Sequence, residues 1–322
     1  MKTNFYDYKK DGITQGLFLT WMNCRQKARW FLDGWSSKYG NKEALTYGTI
    51  IHGILESVYD QIRLNKIKDI PSAQDIKNLT KIVEKKWLKE NPKANKYALE
   101  DLDMSLLIAE STLPAYFRFY WKKDIKELKW RKLEQEFSIP YVTKDGRKTF
   151  IRGKKDGVYG EKSIRLFETK TKSMISVDNL IDTLWFEMQI NLYLWAIEKT
   201  YKQIPSGVTY NIIRKTSLRM SSGESKVQYA KRVADDINKR PSFYFIRLNV
   251  SITKQDMDKF KEELEYLVTE FMDWCDGKTG TYKNTSQCMG KYGNCSFLGL
   301  CSKKDFGMYE KRKVVFRELD DY

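Results

Sequence analysis

No run of apolar residues in this chain is long enough to cross a bilayer. The opening stretch, MKTNFYDYKKDG, is too polar for a secretory signal. Together these absences set aside membrane-embedded and secreted classes, and the expectation is an intracellular, cytoplasmic protein. Internal repeats and low-complexity tracts are missing as well, which argues against solenoids and disordered arrays. Acid is in short supply: 42 Asp and Glu stand against 58 Lys and Arg, a formal charge of +16. Such an excess favours a polyanionic partner, nucleic acid ahead of an anionic membrane surface. There are only five cysteines, and in a reducing compartment these are metal ligands or buried thiols rather than disulfides. Histidine is scarcer still, with His52 alone. What remains is enough to fold: 41% hydrophobic residues in 322 build a core for one large domain or two modest ones. The 14% aromatic content suits base stacking on single strands, although most of those rings belong in the core.

The chain is organised around Arg152 to Lys172, RGKKDGVYGEKSIRLFETKTK. Phe150 to Val158 and Ile164 to Phe167, with glycines between, read as a hairpin that brings Asp156 near Glu168. Side chains on a strand repeat with period two, so Glu168 and Lys170 point one way and Thr169 the other. Two carboxylates can hold a hard divalent cation such as Mg²⁺, and the lysine beside them can touch a water or a phosphate. A surface hairpin with a stray salt bridge has the same local pattern, so the rest of the chain decides.

Leu17 to Trp35 predicts a helix capped by Thr20 or Asn23 and stopped at Gly34, with Cys24 near its start. Ala44 to Ile62 has helical spacing, with His52 in its first turns; a histidine there packs, ligates a metal or moves a proton. Ala73 to Lys89 and Leu99 to Lys123 are helical in pattern, punctuated by Pro71, Pro92 and Pro114. Lys122, Lys123, Lys126 and Lys129 form a basic stripe, either a solvated face or a nucleic-acid track. Trp130 to Val142 alternates like a strand and carries Glu134 and Glu136 on one face. Ser176 to Tyr201 reads as one long amphipathic helix with Gln189 and Tyr193 four apart. Gly207 to Arg214 and Phe243 to Val250 read as strands, Lys215 to Arg240 between them as a mobile loop or an edge excursion, and Thr253 to Trp274 as a helix. Cys288, Cys295 and Cys301 fall within fourteen residues near the C-terminus, separated by glycine and serine. Clustered thiolates select zinc or iron–sulfur, and a fourth ligand must come from elsewhere, with Cys24 and Cys275 the remaining cysteines.

In this order the motifs resemble the RecB-like branch of the PD-(D/E)XK nucleases, and within it the iron–sulfur exonucleases: the CRISPR-adaptation nuclease, the AddB nuclease domain and phage exonucleases. The resemblance runs from about residue 17 to 305. It is carried by NCRQKARWFLDG, GTIIHGILE, LEQEF, GKKDGV, FETKTK, EMQINLY and a terminal C-x6-C-x5-C. In the CRISPR-associated members the first of those two gaps is two residues rather than six.

The resemblance implies an α/β protein with a restriction-endonuclease-like mixed central sheet flanked by helices, a helical N-terminal region and a C-terminal Cys-rich loop. Residues 1–130 would be the helical region carrying Cys24 and His52, 131–275 the nuclease core, and 276–322 the iron–sulfur loop and tail, all one intertwined unit. It implies a Mg²⁺ or Mn²⁺ site made by Asp156, Glu168, the carbonyl of Thr169 and His52. Lys170 would act on the attacking water and the phosphate, Gln189 and Tyr193 would hold DNA or the lysine, and Glu134 (preferred to Glu136 for its distance from Phe137) would be the upstream acid. Cys24, Cys288, Cys295 and Cys301 would bind a [4Fe–4S] cluster, with zinc as the alternative, leaving Cys275 a plain thiol. The implied activity is metal-dependent DNA exonuclease action, phage or mobile-element encoded, in a bacterial or phage-infected cell, serving recombination, replication or end processing. A recombination partner and a homo-oligomer come with that reading. An endonuclease of the same fold and a DNA-binding scaffold with a vestigial site are its alternatives.

Overall fold

The computed structural model describes residues 5–38, 43–92, 94–173, 176–184, 186–290, 293–303, 305–316 and 319. A short helix α1 (Tyr8–Asp11) and strand β1 (Ile13–Thr14) lead into α2 (Gln15–Asn23) and α3 (Arg25–Leu32). The helix expected to run towards Leu32 is α3, capped by Cys24, whose extended backbone (φ −162°, ψ 108°) also ends α2, a helix the spacing did not predict. Strand β2 (Trp35–Ser37) precedes three long helices: α4 (Glu43–Arg63), α5 (Ala73–Glu90) and α6 (Lys96–Glu127). The capping box of Ser72 and Asp75 opens α5. Pro114 does not punctuate the region as expected; it lies buried inside α6. Burial of its neighbours Leu113, Ala115, Tyr116 and Phe117 offsets the proline penalty of about 3 kcal/mol.

Strands β3 (Trp130–Val142), β4 (Lys148–Tyr159) and β5 (Arg165–Lys172) form an antiparallel meander. The long helix expected over 176–201 is α7 (Val177–Leu184) and α8 (Met188–Tyr201), broken before Glu187, whose backbone is extended. After β6 (Gly207–Arg214), the stretch expected as a mobile loop contains α9 (Lys226–Lys239). Tyr229, Val233 and Ile237 recur every four residues there, all are buried, and a Ser225–Gln228 capping box starts the helix against α6. A polar composition hid that stripe. The chain continues through α10 (Pro241–Tyr244), β7 (Phe245–Ser251) and α11 (Lys254–Cys275), then β8 (Met289–Gly290), β9 (Gly293–Asn294), α12 (Leu298–Ser302) and β10 (Tyr309–Lys311). No described helix is long and apolar enough to cross a membrane.

The central sheet is mixed and flanked by helices, in the manner of a restriction endonuclease. β1 pairs parallel to β4, β5 parallel to β6, and β3, β5 and β7 pair antiparallel to their neighbours β4, β4 and β6. Because it is covered on both faces, β5 has apolar residues of both parities: Leu166 packs into the core with α2, α8 and α11, and Phe167 into the core with α4, α6 and α9. The two chain ends meet. Tyr309–Lys311 pairs antiparallel with Trp35–Ser37, and Phe297, Leu300 and Tyr309 pack on Trp30, Phe31 and Trp35.

A buried ion pair ties the second helical layer to the sheet. Arg247 on β7 holds both oxygens of Asp124 at the end of α6, and the two side chains are only 5% and 2% exposed. Tyr59 of α4 donates to Asp124 (2.8 Å), Arg247 donates to Tyr116 (2.7 Å) and to Asn211 (2.9 Å), and Asn211 donates to Thr169 of β5 (3.3 Å). Removing one member leaves an uncompensated charge in a low-dielectric interior. Asp124→Ala is expected to cost about 3–5 kcal/mol in urea unfolding, and replacing Asp124 and Arg247 together with leucine and methionine less than that; equal losses would show that the pair is not acting as a unit.

Candidate active site

Strand β4 pairs along one edge with β3 and divides the other between two partners. Ile151 and Arg152 pair with β1, and Gly157 to Tyr159 pair with β5. Asp156 sits where the second edge changes hands. With no backbone partner in reach there, the N–H of Thr169 donates instead to the Asp156 carboxylate (2.7 Å). Glu168, one residue earlier on β5, is 1% exposed. Lys170 donates from its ammonium to Glu168 (2.7 Å) and to the side-chain oxygen of Gln189 (2.7 Å), and Gln189 donates to the Tyr193 hydroxyl (3.2 Å). The spacing of four on α8 therefore delivers both residues to one place.

From the other face, α4 brings His52. It lies in the middle of that helix rather than in its first turns. Its Nδ1 is 3.4 Å from Asp156 and 3.9 Å from Glu134. One ligand atom from each of His52, Glu134 and Asp156 lies within 4.8 Å of the others. Glu134, not Glu136, makes this approach, and it does so from a left-handed backbone (φ 42°) inside a strand. That conformation is unfavourable for a residue with a Cβ, by about 1–2 kcal/mol, and strain of this kind collects at functional sites.

Charge is tightly coupled here. Burial opposes a protonated His52, but the charge of Asp156 and hydrogen bonds to Asp156 and Glu134 outweigh it and hold the imidazole well above the usual histidine range. Burial likewise pushes Asp156 up, yet His52, the Thr169 N–H and Lys170 together hold it below the carboxylate range. Glu168 goes the other way: burial, then the charge of Asp156, push it up to about 8 against the pull of Lys170. Its second oxygen is buried and has no hydrogen-bond partner. An unpaired carboxylate oxygen is costly, and a cation is what would complete it. A donor set of carboxylate oxygens and one imidazole nitrogen fits Mg²⁺ or, with the nitrogen, Mn²⁺.

A family model described as the PD-(D/E)XK nuclease superfamily matches residues 22–302. The chain belongs to the PD-(D/E)XK nuclease superfamily. Among solved structures, it is similar to a candidate exonuclease from Eubacterium rectale, at 12% identity and a TM-score of 0.50 over 87% of this chain and 88% of that one. No curated protein matches the sequence. At that identity the structural likeness shows the nuclease fold alone.

Three further groups near this site have no role in the sequence reading. Lys154 pairs with Glu134 (3.1 Å), and Glu56 on α4 is held above the usual carboxylate range by burial and by Glu134. Glu56 follows His52 by four residues, a spacing that places both on one helix face. Lys155, adjacent to Asp156, is fully buried with its ammonium over the Phe137 ring (4.6 Å), and burial lowers it to about 8.

The cysteines lie elsewhere, at the meeting of the chain ends. The Asn284 N–H donates to the Cys24 sulfur (3.4 Å), and the Cys288 thiol donates to the Asn284 carbonyl (3.8 Å). The Cys295 N–H donates to the Cys288 carbonyl (2.9 Å), and the Trp30 indole donates to the Cys301 sulfur (3.1 Å). Cys24 caps the start of α3 and Cys301 lies against Trp30 near its end, and N–H donors face both of these sulfurs. No three of the sulfurs lie within 4.8 Å of one another, so they are spread wider than the His52 group. Cys275 is apart from them, its thiol pushed up to about 12 by burial.

The raised Glu168 gives a pH signature. Its folded pKa of about 8 exceeds the ordinary carboxylate value of about 4.3, so the stability it contributes is complete below about pH 4.3 and is lost as pH rises through about 8. In chelator, denaturation of Glu168→Gln against wild type is expected to show the variant gaining steadily across that window and level above it. A constant difference would contradict a carboxylate buried without a partner.

Proposed function

We propose that the chain is a metal-dependent DNA exonuclease of the iron–sulfur, RecB-like kind, acting in recombination, replication or end processing. The observation that carries the nuclease chemistry is the fork between β4 and β5, where Asp156, Glu168 and Lys170 converge with His52 and Glu134. Asp156, Glu168, the Thr169 carbonyl and His52 would hold the cation, with Glu134 beside them. A divalent cation held there supplies a water of lowered pKa and a polarised phosphoryl oxygen.

The protein's own contribution is placement of charge. Lys170 is kept protonated: burial works against its charge, but Glu168 and Asp156 outweigh it. Gln189 and Glu168 fix the direction of its ammonium. A positive charge so fixed stabilises the negative charge that develops on a phosphoryl group, without reorganising during the reaction. Tyr193 holds Gln189 in turn. Burial keeps the Tyr193 hydroxyl protonated, well above the usual tyrosine range, so it serves as a fixed support rather than as a base. Exonuclease action is supported by the family resemblance and by the name given to the Eubacterium rectale protein. The four cysteines would hold a [4Fe–4S] cluster, which supplies a covalent link between the ends of the chain; its role is structural.

The test is incubation of anaerobically purified protein with end-labelled linear DNA and a closed single-stranded circle, in Mn²⁺, Mg²⁺ or chelator. Loss of the linear substrate alone, only with metal, is expected, and the fate of the label gives the polarity; cutting of the circle makes the protein an endonuclease instead. Asp156→Ala should abolish cleavage, and Lys170→Ala should slow it at least about a hundredfold, both with DNA binding retained. Full activity in either variant would overturn the mechanism. The same preparation is expected to be brown, and Cys288→Ala or Cys301→Ala to lose solubility before chemistry. A colourless, soluble, active variant would contradict the cluster.

A further inference from the structure

A second concavity lies beyond the catalytic fork. It has a volume of about 600 Å³ and is walled by the end of α4 and the loop after it, by the junction of α6 with β3, and by the turn between β4 and β5. Trp130 lines both this groove and the small cleft that holds His52, Glu134 and Asp156. Two independent rulers give the separation. Ten residues of α4 separate His52 from Ile62, about 15 Å at the helical rise. Four residues of chain separate Asp156 from Gly160, about 13 Å at the strand rise.

The lining has two characters. Arg63, Lys68, Lys129 and Arg131 are cationic, against one acid, Glu161. Arg63 is paired with Asp60 (2.7 Å). The other three have no carboxylate partner among the described residues: Arg131 donates to the carbonyls of Gly160 and Glu161, and Lys129 to that of Ile125 (3.2 Å). Between the cations the wall is apolar, from Ile62, Ile67, Ile125, Leu128 and Trp130. A duplex presents phosphates outward and keeps its base faces stacked inside, so it has nothing to offer an apolar wall. Unpaired nucleotides present both phosphate and base face. The volume suits a few nucleotides and is too small for a duplex.

We infer that this groove binds a single-stranded segment of the nucleic acid substrate, a few nucleotides from the scissile phosphate. The inference rests on the nuclease reading of the fork and adds to it a strand preference and a second point of attachment. A stacked strand advances about 3.4 Å per nucleotide, so the two sites are joined by about four nucleotides, or fewer if the strand is stretched. Binding here anchors the strand while the fork acts on it.

The experiment measures binding in chelator, where cleavage cannot interfere, by anisotropy of a labelled oligothymidylate and of a blunt duplex, over a range of salt. The protein is the full chain carrying Lys68→Glu and Lys129→Glu; Mn²⁺ binding by calorimetry and the circular dichroism spectrum establish that it is folded with its fork intact. Single-strand affinity is expected to fall at least tenfold, and the slope of log affinity against log salt to shrink by about 1.4, for two lost phosphate contacts at about 0.7 each. Duplex affinity is expected to change much less. Unaltered single-strand affinity and salt slope would overturn the inference, and an equal loss on the duplex would overturn the strand preference. A wild-type protein that binds the oligonucleotide but cleaves nothing with any metal would instead count against the nuclease reading, and leave the groove standing.

Discussion

A strand has two edges to pair, and the candidate site follows from how β4 divides its second one. β1 takes Ile151 and Arg152, β5 takes Gly157 to Tyr159, and between them an amide of β5 is left to find a side chain. Asp156 fills that place, so its carboxylate is anchored by what would otherwise be a ladder bond. Moving it means opening the sheet. The close packing of Trp130 on Gly157 enforces the geometry: a Cβ there would stand 2.6 Å from the indole ring, so only glycine allows the strand to lie against it.

The fork alone would present acids on two faces of a sheet; the helical layers decide what meets them. α8 lies on one face and supplies Gln189 and Tyr193, which aim the lysine. α4 lies on the other and supplies His52. The position of α4 is fixed in turn by Tyr59, held by the same Asp124 that pairs with Arg247, while Asn211 carries the network on to Thr169. The residue whose N–H anchors Asp156 and the helix that carries His52 are thus tied to one buried ion pair. A charged pair contributes little net stability in such a place, but it has a directional geometry that an apolar contact lacks.

The ends of the chain are drawn together by different means. Short strand pairing between β2 and β10, an aromatic cluster and the backbone contacts of Asn284 bring Cys24 to the C-terminal cysteines. Asn284 thereby stands between the sulfurs of Cys24 and Cys288, 260 residues along the chain from the first.

Much of this was legible in the residues. The hairpin, the shared face of Glu168 and Lys170, the Gln189–Tyr193 spacing and the α4 and α11 helices follow from local periodicity, because strands repeat every two residues and helices every 3.6. Where local pattern misled, the reason was again physical. A second helix, α2, precedes the extended backbone of Cys24, the turn before Glu187 split the helix expected over 176–201, and packing carried α6 through Pro114. The charged surface of α9 masked a regular apolar stripe. Lys154, Glu56 and the Arg247 network escaped notice because their meaning lies in partners far away in sequence. The sequence by itself determined which chemical groups are present and which face of each element they share. Only the tertiary structure decided that β4 would divide its edge, that Glu134 rather than Glu136 would reach His52, and that Glu168 would be buried with an oxygen unpaired. Those depend on long-range pairing and on exclusion of water, which no local spacing encodes.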